Sequence, residues 1–190
     1  MAAISYGRCV DTSMGLTPLE GLVMATRSGD IDPSIVFFLM KEANLSIEQV
    51  YHILNYESGL LGLSGVSKDV RDILAKALNG NKRCLLALKV FVYRVRKYIG
   101  AYAAAMGGVD AITFTAGIGA NSSYLRREIC KDLFFLGVKV DEKTNNLMVG
   151  GREGVISAPD SRVKVLVVPT NEEKMIAIEA LRLMSGFIEE

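Results

Sequence analysis

With 22 Lys and Arg against 21 Asp and Glu, the chain lacks an excess of either charge, and its net charge is +1. The basic residues are scattered singly, so no long-range field draws a phosphate backbone or an anionic bilayer. Nucleic acid and membrane surfaces are therefore not expected partners. Cysteine and histidine are scarce as well. Cys9, Cys84 and Cys130 are odd in number and far apart, and His52 is the single histidine. Neither a disulfide framework nor a zinc site fits that set, and reduced cytoplasmic thiols are the expectation. No uncharged stretch reaches the ~20 apolar residues that cross a bilayer. One of the longest, from Tyr98 to Val109, contains Gly and Ala throughout. The opening MAAISYGR has no basic start followed by an apolar run, so no signal peptide is expected. Fixed-period repeats and low-complexity segments are missing too. A soluble cytoplasmic protein is expected.

What is present suffices for a core. Half of the 190 residues are hydrophobic and 23% are charged, which excludes disorder and fits one globular unit. Ala2 to Ile4 and Cys9 to Asp11 read as two short strands around a glycine turn. From Asp11 to Asp32 the sequence shows little periodicity and much Gly, Thr, Ser and Met, the composition of a structured loop, and long ordered loops are usually functional. Asp32-Pro33 opens a helix to about Ala43, and Ser46 with Glu48 and Gln49 opens another to about Tyr56. A glycine-rich separator, Gly59 to Gly65, leads to a helix near Asp69 to Asn79. These pieces form a helical insertion at about 33–80. Leu85, Leu88, Val92, Val95, Ile99, Tyr102 and Met106 then alternate spacings of three and four, with Arg83, Lys89, Arg94, Arg96 and Lys97 off the stripe. That pattern predicts one helix of about 24 residues, ~36 Å long, ended by Gly107-Gly108. Its stripe packs on the domain's own sheet or forms a subunit seam. A strand at Ala111 to Thr115 follows, then a helix capped by Ser122 or Ser123 and running to about Phe135. An extended piece at Val138 to Val140, a Val-rich strand at Arg162 to Val168 and a helix from Asn171 to about Met184 complete an α/β pattern.

Chemistry has several candidate positions. Ala116-Gly117-Ile118-Gly119-Ala120-Asn121 lies between a strand and a helix, where free backbone N–H groups meet a phosphate or ribose, although the same residues also make a tight turn. Pro169-Thr170-Asn171-Glu172-Glu173 passes directly into the last helix. Its carboxylates fit a metal, or else complement the helix dipole behind an Asn171 cap. Arg27, in Thr26 to Asp32, can present its planar fork to a phosphoryl group, or is simply solvated. Asp69-Val70-Arg71-Asp72 reads on its own as a charged first turn. His52 sits inside a helix among apolar neighbours and reads as a core or surface residue rather than a catalyst.

The run DTSMGLTPLEGLVMATRSGDIDP from Asp11 to Pro33 closely resembles the long signature of the acetate kinases, in the acetokinase family of the sugar kinase, Hsp70 and actin superfamily. The resemblance continues through ESGLLGLSG (Glu57 to Gly65), Asp69-Val70-Arg71, YIGAYAAAMGGVD (Tyr98 to Asp110), FTAGIGAN (Phe114 to Asn121) and PTNEE (Pro169 to Glu173), and so covers the chain from end to end. It implies a ribonuclease-H-like α/β fold and transfer of phosphate from ATP to acetate or propionate, with Mg²⁺ and cationic side chains neutralising charge. It further implies that Arg27 stabilises the transferring phosphoryl group and that Glu172 is a magnesium ligand. Asp69, Val70 and Arg71, together with Gly117, Ile118, Gly119, Ala120 and Asn121, would hold the adenosine part of ATP or ADP. Pro18 would border the pocket for the acyl methyl group. Ala120 departs from the family, which more often has Glu there. Family members are about twice this length. The sequence corresponds to their carboxy-terminal domain, beginning after the phosphate loop and first strand. An amino-terminal half is therefore expected to be required for catalysis, and a homodimer is implied. A non-catalytic module that binds nucleotide or dimerises is the alternative.

Overall fold

Tyr6 and Gly7, with φ of 50° and 77°, make the two-residue turn of a hairpin between β1 (Ala2–Ser5) and β2 (Arg8–Thr12). Both central residues are left-handed, the geometry whose twist suits antiparallel strands. The computed structural model describes residues 1–186. After the loop that follows β2 come α1 (Ser34–Glu42), α2 (Ile47–His52), α3 (Gly59–Ser64) and α4 (Val70–Leu78). Ser46 accepts the Gln49 N–H while the Gln49 side chain accepts the Ser46 N–H, a reciprocal cap that fixes the start of α2. That helix does not run evenly to Tyr56. It widens into a π-helical turn at Ile53–Glu57. The separator expected at Gly59 to Gly65 is instead the helix α3, because Leu60 and Leu61 donate their N–H groups to the Met24 and Ala25 carbonyls and so draw the segment against the preceding loop.

The long helix α5 (Lys82–Ala105) is as the periodicity predicts, capped by Asn81, whose side chain accepts from the Cys84 N–H. Leu88, Val92, Val95 and Ile99 of its stripe are buried in one core with Val163, Val165 and Val167. Its apolar stripe therefore serves the chain's own core and is not an exposed seam. β3 (Ala111–Phe114) pairs in parallel with β5 (Lys164–Val167), whose other edge carries the short antiparallel β4 (Gly154–Val155). Between these strands lie α6 (Ala116–Asn121), α7 (Ser123–Cys130) and α8 (Glu142–Leu147), and α9 (Glu172–Gly186) closes the description. Ser122 caps α7, which stops at Cys130 rather than near Phe135 because Leu133 turns into the core and leaves Phe134 and Phe135 exposed. Residues 138–140 make single bridges to Val163 and Ser157, not a strand. Neither α8 nor β4 follows from the sequence reading. α8 is set by Asp141, whose carboxylate accepts the Thr144 N–H at 2.7 Å. Among the described residues, no helix is long and apolar enough to cross a membrane.

The sheet is divided. β1 pairs only with β2, and β3 only with β5 on one side, so each keeps an open edge. Met1 and Ala2 on one side and Ala111 to Thr115 on the other line a single groove of about 560 Å³, whose apolar wall includes Phe91, Val95 and Ile99 of α5. The Tyr102 hydroxyl, also at this groove, is buried without a hydrogen-bond partner among the described residues. The resemblance expects a further strand between these two open edges.

Candidate functional site

Arg27 sits on a loop that is tied down on both sides. Ser58 donates to the Thr26 carbonyl (2.9 Å), Leu60 to Met24 (2.8 Å) and Leu61 to Ala25 (2.9 Å), while Ser28 donates to the Leu54 carbonyl (3.0 Å). The Thr26 hydroxyl adds a bond to the Asn55 carbonyl at 2.8 Å. The π-helical turn makes this possible, because it leaves the carbonyls of Leu54 and Asn55 to accept from donors outside their own helix. Turns of this kind often occur at functional sites. Gly59 adopts φ +61°, and a Cβ there would lie 2.3 Å from the Met24 oxygen and 2.7 Å from the Arg27 oxygen, so only glycine permits the approach. Arg27 is half-buried, and its guanidinium makes no hydrogen bond or ion pair among the described residues. By contrast, Arg83, Arg94, Arg96 and Arg126 are all bonded within the fold.

The segment Gly117 to Asn121 is helical, not an open turn, and the left-handed residue at its entry is Ala116 (φ 58°) rather than a glycine. Positive φ at a residue with a Cβ is a strained conformation that persists where surrounding structure fixes it. The far end of this segment is held by Arg126, which is fully buried. It donates to the Gly119 and Ala120 carbonyls at 2.8 and 2.9 Å, to the Asn145 side chain and carbonyl, and to the Met148 carbonyl. Burial lowers its pKa, and among the described residues no carboxylate pairs with it. The carbonyl ends of α6 and α8 compensate the charge instead. An Arg between buried Leu125 and Ile129 on one helical face was the sequence signal for this clamp. A Cβ on Gly117 would meet nothing within 4 Å, so packing inside the chain does not demand a glycine there. Ala120 is buried, and Asn121 accepts the Gly150 N–H and donates to the Gly117 carbonyl.

At the start of α4, Asp69 accepts the Arg71 N–H at 2.8 Å, and its carboxylate lies 2.6 Å from the Arg71 Nη2. Those two bonds pull the Asp69 pKa down to about 2. The Arg71 side chain is otherwise exposed, and Val70 is buried. Glu172 is exposed in the first turn of α9, behind Asn171, whose side chain accepts the Lys174 N–H at 3.0 Å. Asn171 is thus the cap. Among the described residues, no group of three or more His, Cys, Asp or Glu side chains is placed to hold a metal.

The structure brings Leu22 to Ala25 and Gly117 to Gly119 to one groove and sets Arg27 two residues beyond its wall. Asp69 to Arg71, Pro18 and Glu172 do not line that groove, and Pro18 is exposed. His52 lies on the surface beside Glu57.

The model of the acetokinase family matches residues 1–178. The chain belongs to the acetokinase family. It is 61% identical over 178 residues to an acetate kinase of Thermotoga maritima, covering 93% of this chain and 44% of that protein. Against an acetate kinase of Clostridium novyi the identity is 59%, with the same coverage. The chain thus spans less than half the length of these relatives. The crystal structure of Porphyromonas gingivalis acetate kinase superimposes with a TM-score of 0.91 at 49% identity, over 96% of this chain and 46% of that one. A propionate kinase of Francisella tularensis gives 0.86 at 40% identity, over 93% and 44%. The fold of this acetokinase chain is accordingly the α/β fold of the sugar kinase, Hsp70 and actin superfamily, present in part.

Proposed function

We propose that this chain supplies the nucleotide contacts and one phosphoryl-stabilising arginine of a kinase that transfers the γ-phosphate of ATP to a small carboxylate, acetate or propionate. A carboxylate oxygen attacks the γ-phosphorus, the bond to the β,γ-bridging oxygen breaks, and ADP leaves with that electron pair as the acyl phosphate forms. The protein's task is to align these groups and to oppose the charge that spreads over the γ-oxygens. Arg27 carries the reading: an unpartnered, half-buried guanidinium stands on a loop held by five hydrogen bonds to the α2–α3 segment. Its fork needs no reorganisation to meet phosphoryl oxygens. Gly117 to Asn121, with Asp69 to Arg71, would take the adenosine part, and the open space at Gly117 supports a close backbone approach by a ligand. Pro18 would border the acyl methyl group, and the amino-terminal portion found in the longer relatives would hold the acceptor.

Mg²⁺ commonly takes one or two carboxylates and completes its shell with waters and substrate phosphates, which fits a single exposed carboxylate such as Glu172. When bound, the cation would neutralise phosphate charge. Titration calorimetry of the chain with ADP is the direct test. ADP is expected to bind more tightly with magnesium present, and Glu172→Ala is expected to shift the magnesium titration to higher concentration. An unchanged titration would leave Glu172 as a carboxylate complementing the α9 dipole. Absence of ADP binding to the wild-type chain would sink the nucleotide reading.

A second reading, a non-catalytic module that pairs with a copy of itself, is supported by α1. That helix has no buried residue, and Phe37 and Phe38 are 71% and 59% exposed. Ile47 and Tyr51 of α2 are exposed as well. An apolar patch of this kind on a soluble chain fits an interface with a second copy. Sedimentation should show a dimer, and Phe37→Asp with Phe38→Asp should convert it to a monomer with unchanged helix content. A wild-type monomer would remove the dimer.

A further inference from the structure

Arg94 and Tyr98 stand one turn apart on α5 and reach the same residue. Arg94 Nη1 donates to Asp30 Oδ2 at 2.8 Å, its Nη2 donates to the Asp30 carbonyl at 3.1 Å, and the Tyr98 hydroxyl donates to Oδ2 at 2.9 Å. The other carboxylate oxygen, Oδ1, accepts the Gly21 N–H at 2.7 Å, and the Asp30 N–H returns to the Gly21 carbonyl at 3.0 Å. The segment from Gly21 to Asp30 is therefore a closed loop whose two ends meet at one carboxylate, which is pinned to the longest helix of the chain. Arg94 is 23% exposed and Asp30 34%, so these charge-assisted bonds are partly shielded from water and outweigh an exposed ion pair. Burial, followed by the bond to Asp30, pushes the Tyr98 phenol up to about 12, which keeps it a donor at any working pH. Arg27 sits inside this loop, three residues before the pinned carboxylate.

We propose that Asp30, Arg94 and Tyr98 are positioning residues for Arg27: they close and anchor its loop from the side of α5, while the α2–α3 segment anchors it from the other. The proposal rests on the reading of Arg27 as the group that meets the transferring phosphoryl. None of the three is itself placed on substrate. A guanidinium displaced by about 1 Å can lose about 100-fold in rate, so the anchors act on kcat through geometry.

The test uses Asp30→Asn, which keeps the shape but turns an amide donor toward Arg94 or Tyr98, with Tyr98→Phe as a milder variant. In the chain completed by a separately expressed amino-terminal half of an acetate kinase, Asp30→Asn is expected to lower kcat about 100-fold. The KM for ATP should change less than about twofold, the signature of an interaction used in the transition state. Added to Arg27→Ala, it should lower kcat no further, because residues acting through one group are not additive. In the same completed enzyme, hydrogen exchange of residues 22–29 should quicken while circular dichroism is unchanged. If Arg27→Ala leaves kcat near wild type, the reading of Arg27 falls and the proposal falls with it. If Arg27→Ala is slow but Asp30→Asn is not, or the two effects multiply, the positioning role alone is overturned. Unaltered exchange at residues 22–29 in Asp30→Asn overturns it equally.

Discussion

The 190-residue chain, assayed alone with ATP and acetate, is expected to form no acetyl phosphate, and adding an amino-terminal half of an acetate kinase is expected to restore the reaction. Phosphoryl transfer needs the acceptor carboxylate held in line with the γ-phosphorus, and on the proposed reading the groups that hold the acceptor belong to the amino-terminal half. Loss of such positioning removes about 7 to 11 kcal/mol of the barrier reduction, enough to take a kinase below detection. The same addition should raise the melting temperature. Ala2 of β1 and the whole of β3 line the 560 Å³ groove, both strands keep an open edge, and the buried Tyr102 hydroxyl at the groove lacks a partner among the described residues. Backbone N–H and C=O groups along such edges require either water or another strand, and exposed edges promote aggregation. Alone, the chain should therefore melt early, with poor cooperativity, or aggregate. Two observations would reverse this expectation: acetyl phosphate formed by the chain alone at an ordinary kinase rate, or a soluble chain whose transition is as sharp as that of a complete domain.

Arg27→Ala, introduced into the completed enzyme, should lower kcat by roughly a thousandfold, the scale on which an arginine that opposes transition-state charge contributes to phosphoryl transfer. The KM for ATP should move far less, since an interaction made only in the transition state appears in kcat. Stability should be nearly unaffected. The guanidinium makes no bond within the described chain, and the loop is held by backbone groups and by the Thr26 hydroxyl. Steady-state kinetics with a thermal melt separate these outcomes. A variant with raised KM and unchanged kcat would make Arg27 a ground-state binder of ATP, and a variant that fails to fold would make it structural.

Much of the architecture was legible because its signals are local. The stripe from Leu85 to Met106 specifies α5 through a helical period, and the Val-rich run specifies β5, whose Val165 and Val167 are buried on one face. The reciprocal Ser46–Gln49 cap fixes the start of α2 without reference to anything distant. Arg27, Glu172 and the glycines at 117 and 119 were legible as residue types in a recognised pattern, not as geometry. Their alternatives also had visible signals. Asn171 caps α9 and Asp69 caps α4, each through a side-chain oxygen accepting a backbone N–H within a few residues.

What the sequence by itself determined about this protein was the strands β1, β2, β3 and β5, the helices α1, α2, α4, α5, α7 and α9 and its family, because periodicity, caps and short motifs act over a few residues. Only the tertiary structure decided that Gly59 to Ser64 is a helix and that the turn after Ile53 is widened. It also decided that Ala116 carries the left-handed conformation, and that Arg126, Asp30, Arg94 and Tyr98 hold the candidate site in place. These features depend on partners far away in sequence. Asp30 meets Arg94 across 64 residues, and Arg126 meets Met148 across 22. No local propensity encodes which carbonyl or carboxylate a side chain will find after the chain has closed upon itself, since that choice is made by the burial of polar groups that must be paired once water is excluded.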